Sequence, residues 1–337
     1  MIIFPCFSYA VSNSTFIFLL IEPGSKPGSM GQAYVAQVDD GFSGYWNPGA
    51  MAFNRKTQFA LMHSNWLGDV HGLDDIYYEY LGCNRYFESL DGNIGFHLIF
   101  ISYGQQEKTT FDGTSQGMFS SYELAASTTY AYQYSETLGL GATFKIIYSY
   151  LAPEGTGATE PGKGSALGFG FDLGLKKKSL FINKLDWGLT LQNFGPDVTY
   201  IDNAQKDPMP INIRTGFSYR ALEHEYYSLT VNTDASKVLA NHDNIFVRLF
   251  TGFDEGSVVR TREAIIFNAG AEFTYLNLLA FRAGYIYDKA GSIIGPSFGA
   301  GIQYLFRDRY KATFDFAMQQ AGEMTDYNKT FSLGLEF

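Results

Sequence analysis

Apolar and polar residues alternate with a period of two along most of the chain. In residues 139–150, Leu140, Ala142, Phe144, Ile146, Tyr148 and Tyr150 share one side, and Gly139, Gly141, Thr143, Lys145, Ile147 and Ser149 share the other. Residues 167–175 repeat this with Asp172 on the polar side. Residues 267–275 do so with Glu272, and 310–318 with Lys311 and Asp315. Period two predicts strands. Read as a helix, Asp172 and Lys176 would fall beside apolar residues and leave no clean face. The chain ends in the same way: Phe331, Leu333, Leu335 and Phe337 alternate with Ser332, Gly334 and Glu336.

Fourteen such segments are predicted. They start near Arg55, Leu73, Gly92, Phe119, Leu138, Ser165, Asp186, Ile211, Tyr226, Ala264, Leu279, Pro296, Arg309 and Tyr327. Strands with one apolar and one polar face, even in number, fit an antiparallel barrel in a bilayer, with lipid outside and a polar lumen inside. In a closed barrel the last strand pairs with the first and no edge remains. An aromatic at the final position of an amphipathic strand is what outer-membrane assembly reads, so Phe331, Leu333, Leu335 and Phe337 are the expected barrel-assembly signal. Loop lengths also sort by parity. The connections 104–118, 152–164, 194–210 and 235–263 are long; 133–136, 221–225, 276–277 and 307–308 are short. Long extracellular loops and short periplasmic turns produce this sorting, and both termini are then periplasmic. The stretch 176–184 departs from it.

Composition agrees. The 337 residues include 36 Gly, 24 Tyr and 30 Phe, and aromatics reach 17%. The mean hydropathy is near zero. The longest apolar run, 16–21, is far shorter than the roughly 20 residues a membrane helix needs. The net charge of −10 argues against a nucleic-acid partner.

The first 54 residues read differently. Residues 1–10 end in Ser8-Tyr9-Ala10, a small-x-small pattern, and are taken as the remnant of a signal peptide. Cleavage after Ala10 would remove Cys6 and leave Cys83 without an internal disulfide partner. Residues 11–54 are cut by Gly and Pro into short pieces. Two turns of helix are expected over 29–37. Asp39 or Asp40 is expected to cap a second helix, and Asn47-Pro48 supplies an N-cap followed by Pro at the first helical position. Short helices ahead of a barrel, which then occupies 55–337, suggest a plug in the lumen.

These residues carry a resemblance. The run Pro27-Gly28-Ser29-Met30-Gly31-Gln32-Ala33-Tyr34-Val35-Ala36, then Asp39-Asp40, then Tyr45-Trp46-Asn47-Pro48 is similar to the plug motif of the PorV/PorQ family, within the wider FadL-like outer-membrane proteins. The strand 281–285 and the end 331–337 also resemble that family's. Asn47-Pro48-Gly49-Ala50 departs from its usual Asn-Pro-Ala-Gly. The resemblance implies Gly28, Met30, Gly31, Asp39, Asp40, Trp46, Asn47 and Pro48 as the plug motif. It implies one of two roles. PorV-type members act in type IX secretion, taking secreted proteins by their C-terminal domains from the translocon to a surface attachment complex. FadL-type members pass hydrophobic compounds, with a lipid or other hydrophobic ligand in the lumen.

No catalytic constellation stands out. His63 and Ser64 are neighbours in a strand and point to opposite faces; His71 lies near Asp69 in a loop; His97 has no nucleophile on its face. No metal spacing is seen, and no cofactor is expected. The inward charges Lys145, Asp172, Arg214, Glu272, Arg282 and Asp315, with Lys311 and Glu336, mix both signs. That mixture suits a self-neutralising network that braces the lumen more than an ion-selective ring. Phe246, Phe250 and Phe253, in the longest loop, are the candidate extracellular partner contacts.

Overall fold

The computed structural model describes residues 14–66, 75–110, 112–153, 164–200, 206–307, 309–322 and 327–337. The expected signal segment, Cys6, Asp69 and His71 lie outside them. Fourteen strands form: β1 (Gln58–Asn65), β2 (Ile76–Phe87), β3 (Gly92–Thr109), β4 (Ser115–Gln133), β5 (Leu138–Ala152), β6 (Gly164–Lys177), β7 (Leu185–Phe194), β8 (Ile211–Glu223), β9 (Tyr227–Leu239), β10 (Ile266–Tyr275), β11 (Leu279–Asp288), β12 (Ile293–Phe306), β13 (Tyr310–Gln320) and β14 (Tyr327–Glu336). Each pairs antiparallel with its sequence neighbours, and β14 pairs with β1 to close the barrel. The seam runs from Gln58 opposite Glu336 to Asn65 opposite Lys329. Thr57 and Phe337 then exchange both backbone hydrogen bonds, so pairing continues to the last residue.

Alternation sets the two faces. On β14, Phe331, Leu333 and Leu335 are exposed on the outside, while Asn328, Thr330 and Ser332 are buried inside. On β5, Phe144 and Ile146 face out and Thr143, Lys145 and Ile147 face in. No helix among the described residues is long and apolar enough to cross a membrane; the wall is made of strands, whose backbone groups satisfy one another except on one side of β6 beyond Phe171.

Three expectations need correction. The segment 104–118 is not a loop. β3 and β4 continue as a hairpin to Thr109 and Ser115, with register shifts after Ser102 and Glu107. Gln105, Gln106 and Glu107 are polar on both faces, so the period-two signal vanishes although the strand goes on. The loop put at 235–263 begins later, because β9 runs to Leu239; it then holds two helices, α4 (Ile245–Thr251) and α5 (Val258–Glu263). The third concerns the helix expected over 29–37. Helix α1 spans Ser25–Ser29 instead, and the chain turns next through Gly31 and Gln32, both at positive φ. Left-handed residues end a right-handed helix.

Short turns gather at one end of the barrel. There the connection 178–184 is the longest, with Ser179, Phe181 and Lys184 at positive φ. The opposite end carries the long connections, although 110–114 and 289–292 are short there.

Of the residues ahead of β1, 14–53 lie inside the barrel. They form a 3-10 turn (Ile17–Leu20), α1, α2 (Ser43–Trp46) and α3 (Pro48–Met51). α1 touches β11 to β14, α2 touches β3, and α3 touches β4 to β6. Phe18, Met30, Tyr34 and Trp46 form one apolar core with Tyr78, Ile99 and Ile147 of the wall.

Candidate functional site

The most organised chemistry in the molecule is where this N-terminal segment meets the inner wall. α3 starts at Asn47, whose Oδ1 accepts from the Gly49 N–H at 3.0 Å, with Pro48 at the first helical position. The same side chain has a second job. Its Nδ2 donates to the carbonyls of Val35, at 2.9 Å, and of Leu175 on β6, at 3.0 Å. The wall beneath is glycine: Gly139, Gly141 and Gly174 face Asn47, Pro48 and Gly49 so closely that a Cβ would collide with the segment's backbone. On the other side of the lumen, Gly31 sits at φ +61 against the backbone of Tyr285, where both left-handed geometry and lack of a side chain are required. Gly28 and Met30 lie beside it, against β13 and β10 respectively. The Ser25 N–H donates to Ser332 Oγ of β14 at 2.8 Å.

Trp46 packs within the segment. Its Nε1 donates to the Pro23 carbonyl at 2.8 Å, and its ring meets Tyr34 and Tyr45 edge-on at 5.6 and 5.9 Å. From the wall, the Arg214 guanidinium lies 5.0 Å from that ring. Arg214 also pairs with Glu22 and donates to the Gln32 carbonyl at 2.9 Å. Next to it, Asp234 Oδ2 accepts from the N–H groups of Tyr34 and Val35 at 2.9 and 3.0 Å. These bonds satisfy backbone donors that no helix or sheet uses.

Six of the expected inward charges fall into three groups. Glu272, Arg282 and Asp315 form one, with Arg282 donating to each carboxylate at 2.6 Å. The segment joins it through Lys26, 3.7 Å from Glu272 and 3.0 Å from Asp39. Gln37 adds a bond to Glu272 at 2.7 Å. Arg214 heads the second group. The third is Lys145 with Asp172, a fully buried pair at 2.9 Å that holds Asn193. Asp40 does not cap α2 from the N-cap position, which is Phe42. It instead accepts from the Phe42 N–H at 3.0 Å and the Tyr34 hydroxyl at 2.7 Å. Burial pushes its carboxyl up, to about 6, against the pull of Lys26.

Sequence reading missed Glu22, Lys26, Gln37 and Asp234. Asp234 is legible in principle, since it shares the parity of Asn232 and Ser236, but the expected loop at 235–263 makes it the last residue of its strand, whereas β9 runs to Leu239. The other three lie off the strands, where period two gives no guide.

Among the described residues the histidines form no catalytic set. His97 is buried, stacked on Tyr80 at 5.8 Å, and makes no hydrogen bond. His63 pairs with Glu79 on the outer face at 2.7 Å. Phe246 and Phe250 stand on α4, Phe253 lies beyond its end, and all three are exposed.

Solved structures share this architecture. The chain resembles the Pseudomonas putida toluene transporter TodX at 14% identity, with 93% of this chain and 96% of that one covered and a TM-score of 0.55. It resembles the Ralstonia pickettii toluene transporter TbuX at 13% identity, with coverage of 95% and 99% and a TM-score of 0.57. The monoaromatic hydrocarbon channel CymD gives 13%, 94% and 97%, and 0.56. At such identities the likeness is one of fold. No curated protein sequence matches the chain. The family model for the type IX secretion system protein PorV matches residues 9–244, more than half of the chain, which therefore belongs to the PorV family of outer-membrane barrels.

Proposed function

We propose that this barrel serves type IX secretion by binding secreted proteins at its long-loop end and passing them from translocon to attachment complex. The short-turn end, which holds both the start of β1 and Phe337, is then periplasmic. The observation that carries this reading is the family match over 9–244, a span that contains the whole inserted segment. The inserted segment supports it: it packs on the wall across the lumen and leaves the two faces for a partner. On the long-loop face, Phe253, Val258 and Val259 are exposed and available to a partner. Affinity purification from native membranes tests the proposal. Recovery of translocon, attachment proteins or the C-terminal domains of secreted proteins supports it. Recovery of a bound lipid or hydrophobic compound with no protein overturns it.

That second outcome would favour a passive transporter, and one observation speaks for it. A cavity of 660 Å³ lies in the barrel, walled by Ile17, Leu20, Ile21, Val238, Ile266 and Ile286. It is of a size to take a small apolar molecule. A second, polar hollow of 250 Å³ is lined by Lys26, Glu272, Arg282, Lys311, Asp315 and Glu336. The stretch 26–32 lies between them, Lys26 lining one and Gln32 the other.

A further inference from the structure

The wall is incomplete beside β6. This strand runs from Gly164 to Lys177, but its pairing with β7 extends only from Lys177 to Phe171, which stands opposite Phe194. The outward residues of β6 are Leu167, Phe169, Phe171 and Leu173, all exposed, so the last partnered position is in the middle of an apolar row. The cause is local. Asn193, at φ +60, accepts from Lys145 Nζ at 2.7 Å. Its N–H donates to Asp172 Oδ1 at 2.7 Å, and its Nδ2 donates to the Pro210 carbonyl at 3.1 Å. Together these bonds turn the chain out of the sheet. Among the described residues no strand pairs with β6 on that side from Gly170 to Gly164, and lipid cannot hydrogen-bond to a strand edge.

α4 meets the wall at this break. Residues opposite one another in an antiparallel pair point to the same face, so Phe194 shares the lipid-facing side with Phe171. The ring of Phe246 packs on Phe194, with centroids 5.8 Å apart. On the other side of the helix, fully buried Arg248 donates to Asp197 Oδ1 at 2.6 Å and to the Asp243 carbonyl at 2.8 Å. Helical periodicity gathers Phe246, Val247 and Phe250 away from Arg248. Their exposures are 66%, 48% and 81%. The N-terminal amides are not left bare, since the Asn244 side chain accepts from the Phe246 N–H at 3.1 Å.

We propose that α4 is embedded in the leaflet at the long-loop end, with Phe246, Val247 and Phe250 among lipid acyl chains, and that it covers the unpartnered edge of β6. Continuity identifies the occupant. Phe171 stands opposite Phe194, the Phe246 ring packs on Phe194, and Phe250 follows one turn on, so apolar side chains lead from the lipid-facing wall onto the helix. A protein partner would need these side chains in water, whereas Phe246 is already seated on a residue of the lipid-facing surface. The inference rests on the barrel's place in the membrane and is independent of what the protein carries.

Fluorescence tests it. The Phe250→Trp variant is reconstituted into liposomes with phosphatidylcholine brominated on the acyl chains, beside Thr114→Trp in the turn of the β3–β4 hairpin as the water-exposed control. The added emission of F250W should be blue-shifted, lose most of its intensity to brominated lipid, and resist aqueous iodide. T114W should behave in the opposite way. If iodide quenches F250W as strongly as T114W and brominated lipid does not, the proposal is wrong and the face is free for a protein. Should F250W fail to assemble, as judged by heat-modifiable gel migration, F246W gives the same reading.

Discussion

At the scale of single residues, Asn47 joins three pieces of structure: the start of α3, the Val35 carbonyl and the β6 backbone at Leu175. Asn47→Ala removes the cap and leaves two buried carbonyls without their donor. The expected loss is about 1–3 kcal/mol, read as a lower denaturant midpoint in detergent and faster proteolysis within 23–53. Asn47→Asp keeps the cap acceptor but sets a buried carboxylate oxygen against those two carbonyls and should cost more than Asn47→Ala; a midpoint unmoved by either change would contradict this role. Arg282 offers a second test. It faces both Glu272 and Asp315, and removing one partner of a buried pair costs about 3–5 kcal/mol. Arg282→Met should therefore destabilise the protein more than Asp315→Asn, which leaves Glu272 paired with both Arg282 and Lys26. Equal effects on the unfolding midpoint would show that the network is not coupled in this way.

At the scale of elements, the strands were the legible part. Where one face meets lipid and the other a polar lumen, alternation is enforced residue by residue, and β5, β8, β11 and β14 begin where the pattern places them. Legibility ended where that two-sided environment ended. Gln105–Gln106 of β3 carry polar residues on both faces, and the end of β9 turns toward the inserted residues, with Val238 and Leu239 both buried. The break after β7 was hidden for another reason: it depends on Lys145 and Asp172, distant in sequence, meeting Asn193. The Asn47-Pro48 start of α3 could be read locally, while the position of α1 was set by Gly31 and Gln32. Closure is the element-scale property most open to test. Phe337 exchanges backbone bonds with Thr57, and its ring lies 6.0 Å from both Phe59 and Tyr310. Deleting it should lower the amount of heat-modifiable barrel in outer-membrane fractions severalfold. Unchanged levels would remove Phe337 from the assembly signal.

At the scale of the whole molecule, the barrel is held from within. Lys26, Asn47, Arg214 and Asp234 tie one short segment to widely separated strands, so the wall and its filling support each other. This explains why the inward charges mix both signs: they pair with the segment and with one another. It also explains the inward glycines, which let that segment's backbone approach the wall. On the proposed reading the barrel is sealed by its own N-terminal residues and acts through its surfaces. Single-channel recording in planar bilayers tests this directly. The full chain should show no sustained conductance, and a variant lacking residues 23–53 should open steps of a wide pore. A full chain that already conducts as widely as the shortened one would contradict the account.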